Sequence, residues 1–348
     1  MRRLMAVLAL ALAASACRGR PADVGAAVRQ SDLRFLPKET AGLAVVEVAR
    51  FKDRQAVGRW LDDFTKEAGF AGGLDRVRAA LGPDALDKLD RLALALVPAA
   101  ATTPGGTAGG AMTGYAILAE GRFDEKLVKN LTGNGLVTLV EVGTAPDLSI
   151  AALPGNHLAL GPRAVLERVR AAAGSPGAAQ DGLTAAPVMS VLKRVSPAKQ
   201  IWGGIDYGVL SSLIGQEGAG GAASPMSGFT RSLRALAFQG AIDDAVEFDL
   251  VGVADGEPGA KSLADAARGL VAIARVGASQ GANRAAEGNA AESAKAWMRF
   301  LDGVSIAQSR EEIRVHGLLD GAMAKSFAAA ASRAVPGPGA PPADPGTR

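Results

Sequence analysis

Short apolar runs and amphipathic stripes alternate along this chain, and each change of period marks an element. Residues 43–48 read Leu-Ala-Val-Val-Glu-Val, a β-branched run that predicts a strand. Behind it Val57, Trp60, Leu61, Phe64 and Ala68 recur at helical spacing, which predicts a helix with one apolar stripe. A second helical stretch over 74–89 is interrupted at Gly82-Pro83. Residues 92–97 and 115–119 predict paired strands, and the small, uncharged stretch 99–113 between them predicts a hairpin loop. A short helix around Leu127, Val128 and Leu131 leads to a strand over 136–142. A hairpin follows, 148–153 and 157–160, turning at Pro154-Gly155-Asn156, and a helix over 162–173 starts at a proline.

After a Gly/Ser/Pro-rich stretch the pattern resumes in a similar order. A helix is predicted over 187–195, a strand over 201–207, a helix start over 209–214 and a loop over 215–227. Strands 236–242 and 246–253 predict a hairpin around Asp243-Asp244. An alanine-rich helix runs over 261–276, the glycines of 277–288 are expected to break it, and helix resumes over 291–301. A last hairpin, 304–307 and 313–318, precedes a helix over 320–334. Many hairpins among helices predict an α+β fold with antiparallel sheets. The segment 148–151 with its hairpin and helix has a counterpart at 304–307, so the order suggests two similar units and an internal duplication. The expected division is 35–174 and 184–334, with a linker at 175–183 and a disordered tail at 335–348.

The start of the chain has a different pattern. Arg2 and Arg3 precede about a dozen apolar residues and then small ones, the layout of a secretory signal. A spanning helix needs roughly 20 apolar residues, more than this run holds. Ala14-Ser15-Ala16 precedes Cys17, the only cysteine. These four residues resemble the lipobox of bacterial lipoproteins, with alanine at Ala14 where leucine is commonest. The resemblance implies that residues 1–16 are removed and that Cys17 carries lipid. A single thiol used as an attachment point accounts for an exported chain with one cysteine. Two or three acyl chains hold a protein firmly, since each buried methylene contributes ~0.8 kcal/mol. Arg18 rather than aspartate after the cysteine points to the outer membrane, facing the periplasm. Residues 17–34, polar and Ala/Gly-rich over much of their length, are expected to form a tether.

Composition narrows the function classes. The chain has 348 residues, 48% hydrophobic and 4% aromatic, enough for one large domain or two ordinary ones. The net charge of +3 counts Arg2 and Arg3, so beyond the leader it is +3 − 2 = +1. With no long basic run, nucleic acid is not an expected partner. No disulfide can form within the chain, so packing must hold it.

Candidate chemistry is sparse. Gly277-Ala278-Ser279-Gln280-Gly281 spells the G-x-S-x-G elbow, and Asp302 and His316 follow in hydrolase order. In that reading Ser279 attacks an ester carbonyl, His316 takes its proton and Asp302 orients the ring. The motif arises by chance ~0.3 times at this glycine and serine content, and the residues before it have helical rather than strand periodicity. A glycine-rich helix break is the favoured reading. Residues 255–262 place Gly256, Gly259, Lys261 and Ser262 between a strand and a helix, as in a phosphate loop. Asp255 and Ala260 stand where that motif needs glycine, so a strand-to-helix turn is favoured. His157 and His316 are the only histidines, and neither belongs to a metal-ligand spacing. Asp243 and Asp244 are read as turn residues, and Trp60 and Trp297 as core residues. No catalytic, cofactor or metal residue is expected; Cys17 is the one assigned site.

Phe35-Leu36-Pro37 with Thr40, followed by a β-branched strand and an amphipathic helix, resembles uncharacterised, duplicated α+β proteins of bacterial envelopes. The expected role is a non-catalytic interaction or scaffold module, anchored to the membrane through lipidated Cys17 and meeting an envelope protein partner. The alternatives are a carrier of lipid or another apolar ligand, and a serine esterase-like hydrolase through Ser279.

Overall fold

The computed structural model describes residues 23–51, 85–98, 114–133, 136–140, 148–174, 182–207, 232–242, 245–284 and 289–320. Eleven strands form one sheet through them. The strands are β1 (Gly42–Val46), β2 (Leu89–Val97), β3 (Gly114–Gly121), β4 (Leu136–Val140), β5 (Leu148–Leu153) and β6 (His157–Pro162). β7 (Ile201–Asp206), β8 (Leu233–Ile242), β9 (Ala245–Ala254), β10 (Ser305–Ser309) and β11 (Glu312–Asp320) complete it. Their spatial order is β10-β11-β9-β8-β7-β1-β2-β3-β6-β5-β4. Every adjacent pair is antiparallel. The helices are α1 (Val24–Arg29), α2 (Ala85–Lys88), α3 (Glu125–Thr132), α4 (Arg163–Gly174), α5 (Val188–Leu192), α6 (Gly256–Arg284) and α7 (Asn289–Gly303). The fold is therefore α+β, as the hairpin-rich sequence predicts.

β1 and β7 lie at the centre and pair with each other, Leu43 opposite Gly204 and Val45 opposite Trp202. Both faces of β1 are largely buried, which explains its near-continuous apolar sequence. One face of the sheet carries Val45, Ala93, Leu118, Ala159, Trp202 and Ala237 against α1, α4 and α5. The opposite face packs Val46 and Leu158 with Phe123 and Val128 in one half, and the same cluster reaches Ile201 of β7 across the centre. In the other half α6 places Leu263 and Ala264 against Ile313 and Leu233.

Two glycines on that second face receive aromatic rings from the next strand. Gly203 pairs with Phe238 and Gly317 with Phe248. A Cβ at Gly203 would lie 2.5 Å from the Phe238 ring and 2.2 Å from the Leu43 carbonyl oxygen. The glycine therefore lets ring and backbone close over the central strands.

Two expectations are corrected. Residues 24–34 do not form a tether. Asp23 caps α1 by accepting from the Gly25 N–H at 2.9 Å, and Val24 and Val28, one turn apart, enter the core. Leu33, Phe35 and Leu36 follow them inside. A helix of six residues with two apolar anchors is too short to leave a readable period. Nor does Gly277 end the long helix, because α6 continues to Arg284. A Cβ at Gly277 would meet nothing within 4 Å. The adjoining turn is held by α7, with Arg275 donating to the Leu301 carbonyl at 2.7 Å and pairing with Asp302 at 3.2 Å.

The two kinds of glycine predict opposite responses. Gly203→Ala should destabilise the fold by about 2 kcal/mol through overpacking. Gly277→Ala, in open space on a helix, should stabilise by up to ~1 kcal/mol. Urea unfolding midpoints of the two variants should fall on opposite sides of the parent.

Candidate functional site

Among the described residues, buried charge is concentrated in a row across five neighbouring strands. β1 ends at Val46 opposite Leu92, so Glu47 falls beside Arg91 of β2. Arg91 is in register with Glu120 of β3. β3 pairs with β6 with Ala119 opposite Leu158, which brings Glu120 beside His157. Period two then points Glu47, Arg91, Glu120 and His157 to the face that carries α1. Trp202 joins from β7, and Asp32 comes from the 3-10 turn Asp32–Phe35 after α1.

The contacts are continuous. Trp202 donates its indole N–H to Glu47 Oε1 at 3.2 Å. Arg91 Nε donates to the same oxygen at 3.0 Å, and its Nη1 to Glu120 Oε2 at 2.7 Å. Glu120 Oε1 accepts the backbone N–H of Asp32 at 2.7 Å. The Asp32 carboxylate then meets His157 Nδ1 at 2.7 Å. Asp32 and Glu47 are only 4% and 6% exposed. Burial alone would expel such groups, and mutual pairing keeps them in place.

Three carboxylates here face one guanidinium and one imidazole, so the row is short of positive charge. Burial opposes the Arg91 charge, but Glu120 and Glu47 outweigh it and raise its pKa. Burial likewise raises Glu120, against the lowering effect of Arg91. The hydrogen bond that the His157 ring donates to Asp32 raises its pKa, with the charges of Asp32, Glu120 and Asp90 adding to it against the desolvation of the ring.

A second, smaller row continues from Trp202 through the other half. Gln239 on β8, Asp249 on β9 and His316 on β11 are in register across it. Gln239 donates to Asp249 Oδ2 at 2.8 Å and accepts the Ser196 N–H. His316 Nδ1 lies 3.2 Å from Asp249 Oδ1, with Arg314 at 4.0 Å from the same carboxylate. Both histidines of the chain are thus held by an aspartate.

No protein-family profile matches this chain. No curated protein matches it either. Among solved structures it is similar to crystal form I of TP0453, at 9% identity over 86% of this chain and 96% of that one, with a TM-score of 0.36. A likeness at that level carries no argument about fold or role.

The residues of the hydrolase reading are not brought together. Ser279 lies within α6 and donates to the Val276 carbonyl at 2.8 Å, so no strand-turn-helix elbow exists there. Asp302 pairs with Arg275, while His316 meets Asp249. Residues 255–262 form the strand-to-helix turn: Gly256 takes a φ of 77° and opens α6, and Asp255 pairs with Arg234. His157 follows a turn in which Gly155 and Asn156 both have positive φ, 81° and 64°. Trp297 is not a core residue; it is 41% exposed and edges onto Phe300. Leu270, Ile273 and Val276 of α6 are also exposed, Ile273 to 71%. None of the described helices is long and apolar enough to cross a membrane. Cys17, Trp60, Asp243 and Asp244 lie outside the described residues.

The charged row escapes a linear reading because its members are far apart in the chain. The available signal was the charge set in or beside otherwise apolar strands, at Glu47, Arg91 and Glu120. Arg91→Ala should destabilise the fold by about 3 kcal/mol, because it leaves Glu47 and Glu120 buried without a cation. Arg91→Lys should recover only part of this, since an ammonium cannot fork between two acids. Urea unfolding of the three proteins at neutral pH measures both.

Proposed function

We propose that this chain is a lipid-anchored protein of the bacterial envelope whose α+β body works as a non-catalytic interaction or scaffold module. The observation that carries the reading is the leader itself: Arg2 and Arg3, a short apolar run and Ala14-Ser15-Ala16 end at the only cysteine. Arg18 favours the outer membrane. Two features of the body agree with a non-catalytic role. Each buried charged group of the two rows has a hydrogen-bond partner within its row. Exposed apolar side chains, Leu270, Ile273 and Val276 on α6 and Trp297 on α7, suit contact more than chemistry.

Strand order supports reading the two halves as a duplication. Counted outward from the centre, β1-β2-β3-β6-β5 in one half matches β7-β8-β9-β11-β10 in the other, with β4 added at one edge. In this alignment β5 corresponds to β10, the two segments whose sequences run in parallel. The partner is then an envelope protein that meets the body while Cys17 holds it at the membrane.

Growth on radiolabelled palmitate should label the parent protein, and Cys17→Ala should abolish the label and release the chain from the membrane fraction. A parent protein that takes up no label refutes the anchor. Crosslinking in native membranes should recover a discrete complex.

A further inference from the structure

The segment nearest the leader is not only packed against the sheet; it is fastened by one titratable contact. Val24, Val28, Leu33, Phe35 and Leu36 supply its apolar hold. Asp32 supplies its polar hold, with its backbone on Glu120 and its carboxylate on His157. His157 belongs to β6, 125 residues away along the chain, and its side chain is 25% exposed. Water can therefore exchange a proton with the ring, whereas Asp32 lies inside.

The surroundings of the ring favour its charged form. Asp32 faces it from the N-terminal segment, Glu120 from β3 and Asp90 from the irregular start of β2. Two cations share these acids. Arg91 is committed to Glu120 and Glu47, and Arg122 lies 3.8 Å from Asp90. Counting Glu47, Glu120 and Asp32 against Arg91, the buried row carries two uncompensated negative charges with a neutral imidazole and one with imidazolium. Protonation of His157 therefore both strengthens its bond to Asp32 and relieves the row.

We infer that His157 and Asp32 form a proton-operated clasp that holds the N-terminal segment more tightly to the sheet in mild acid than in mild alkali. The raised pKa of His157 fixes the direction. A group raised on folding contributes fully below its unfolded pKa and loses that contribution as pH rises through the folded value. The window runs from the ordinary histidine range upward. The apolar anchors keep the segment docked throughout, so the clasp changes how often it opens and not where it rests. This inference is independent of lipid at Cys17 and would hold for an unlipidated chain.

Hydrogen exchange of the full chain tests it. The amides of Ala27, Gln30, Arg34 and Leu36 are bonded within the segment, and that of Asp32 to Glu120, so all report its opening. After correction for intrinsic exchange, their protection should fall about fivefold between about pH 5.5 and about pH 8, the difference between a charge-assisted and a neutral hydrogen bond. His157→Gln should show the lower protection at both pH values, while His316→Gln should keep the parent's response. Should His157→Gln fail to fold, ring-proton NMR decides. His157 should titrate above the ordinary histidine range in the parent and move back towards it in Asp32→Asn. Protection that does not change with pH in the parent, a response that survives in His157→Gln or vanishes in His316→Gln, or a parent ring titrating in the ordinary range would each overturn the clasp.

Discussion

The pairing of β1 with β7 is the constraint on which the molecule depends. Five residue pairs, from Gly42 opposite Ile205 to Val46 opposite Ile201, join two runs of strands into one sheet. Without it each run would end in an exposed central edge, the situation that sheets otherwise avoid with charge, proline or cover. Neither strand has charge or proline along its centre; β1 is Gly-Leu-Ala-Val-Val and β7 is Ile-Trp-Gly-Gly-Ile before its final Asp206. Both are built to be covered on two faces and paired on two edges. Gly203 and Gly204 keep this junction thin enough for Phe238 to close over one face, with Val191 and Leu192 over the other.

That junction also sets where charge can be buried. Glu47 leaves β1 where its pairing with β7 and β2 ends, close enough to receive both the indole of Trp202 and the guanidinium of Arg91. From there the hydrogen bonds follow the strand order to His157. Buried charge of this kind adds little net stability compared with a well-packed apolar row. Its effect is on register: a slip of one residue in β2 or β3 would turn Arg91 or Glu120 to the opposite, apolar face. The same acids reach upward to Asp32, so one set of charges aligns four strands and locates the N-terminal segment.

Local elements were legible where local physics makes them. The hairpins at 148–162 and 305–320 announce themselves by apolar runs around short turns, and their bounds moved by only a few residues. What failed had a non-local cause. The helix after Asp23 is held by the core of distant strands and not by its own propensity, so a polar tether was the natural reading of its sequence. Glycine weakens a free helix, which makes Gly277 an expected stop, yet α7 supports the turn around it. Trp297 fitted an apolar stripe whose outer edge is in fact exposed. The charges at Glu47, Arg91 and Glu120 stand out in the sequence, but not their pairing, since the links of the row join residues 29 to 155 positions apart. Only the topology brings them together.

The place of α1 has a kinetic consequence. Its segment docks on a rim that does not exist until β6 has formed, 125 residues later for the Asp32–His157 link, and the neighbouring Glu47 waits 155 residues for Trp202. The first part of the body to be synthesised is thus among the last to find its place. Contacts this remote make folding slow, because long loops must close before any of them is rewarded. The segment from Asp23 to Leu36 therefore leaves the ribosome well before the strand that fastens it, and waits undocked while that strand is made.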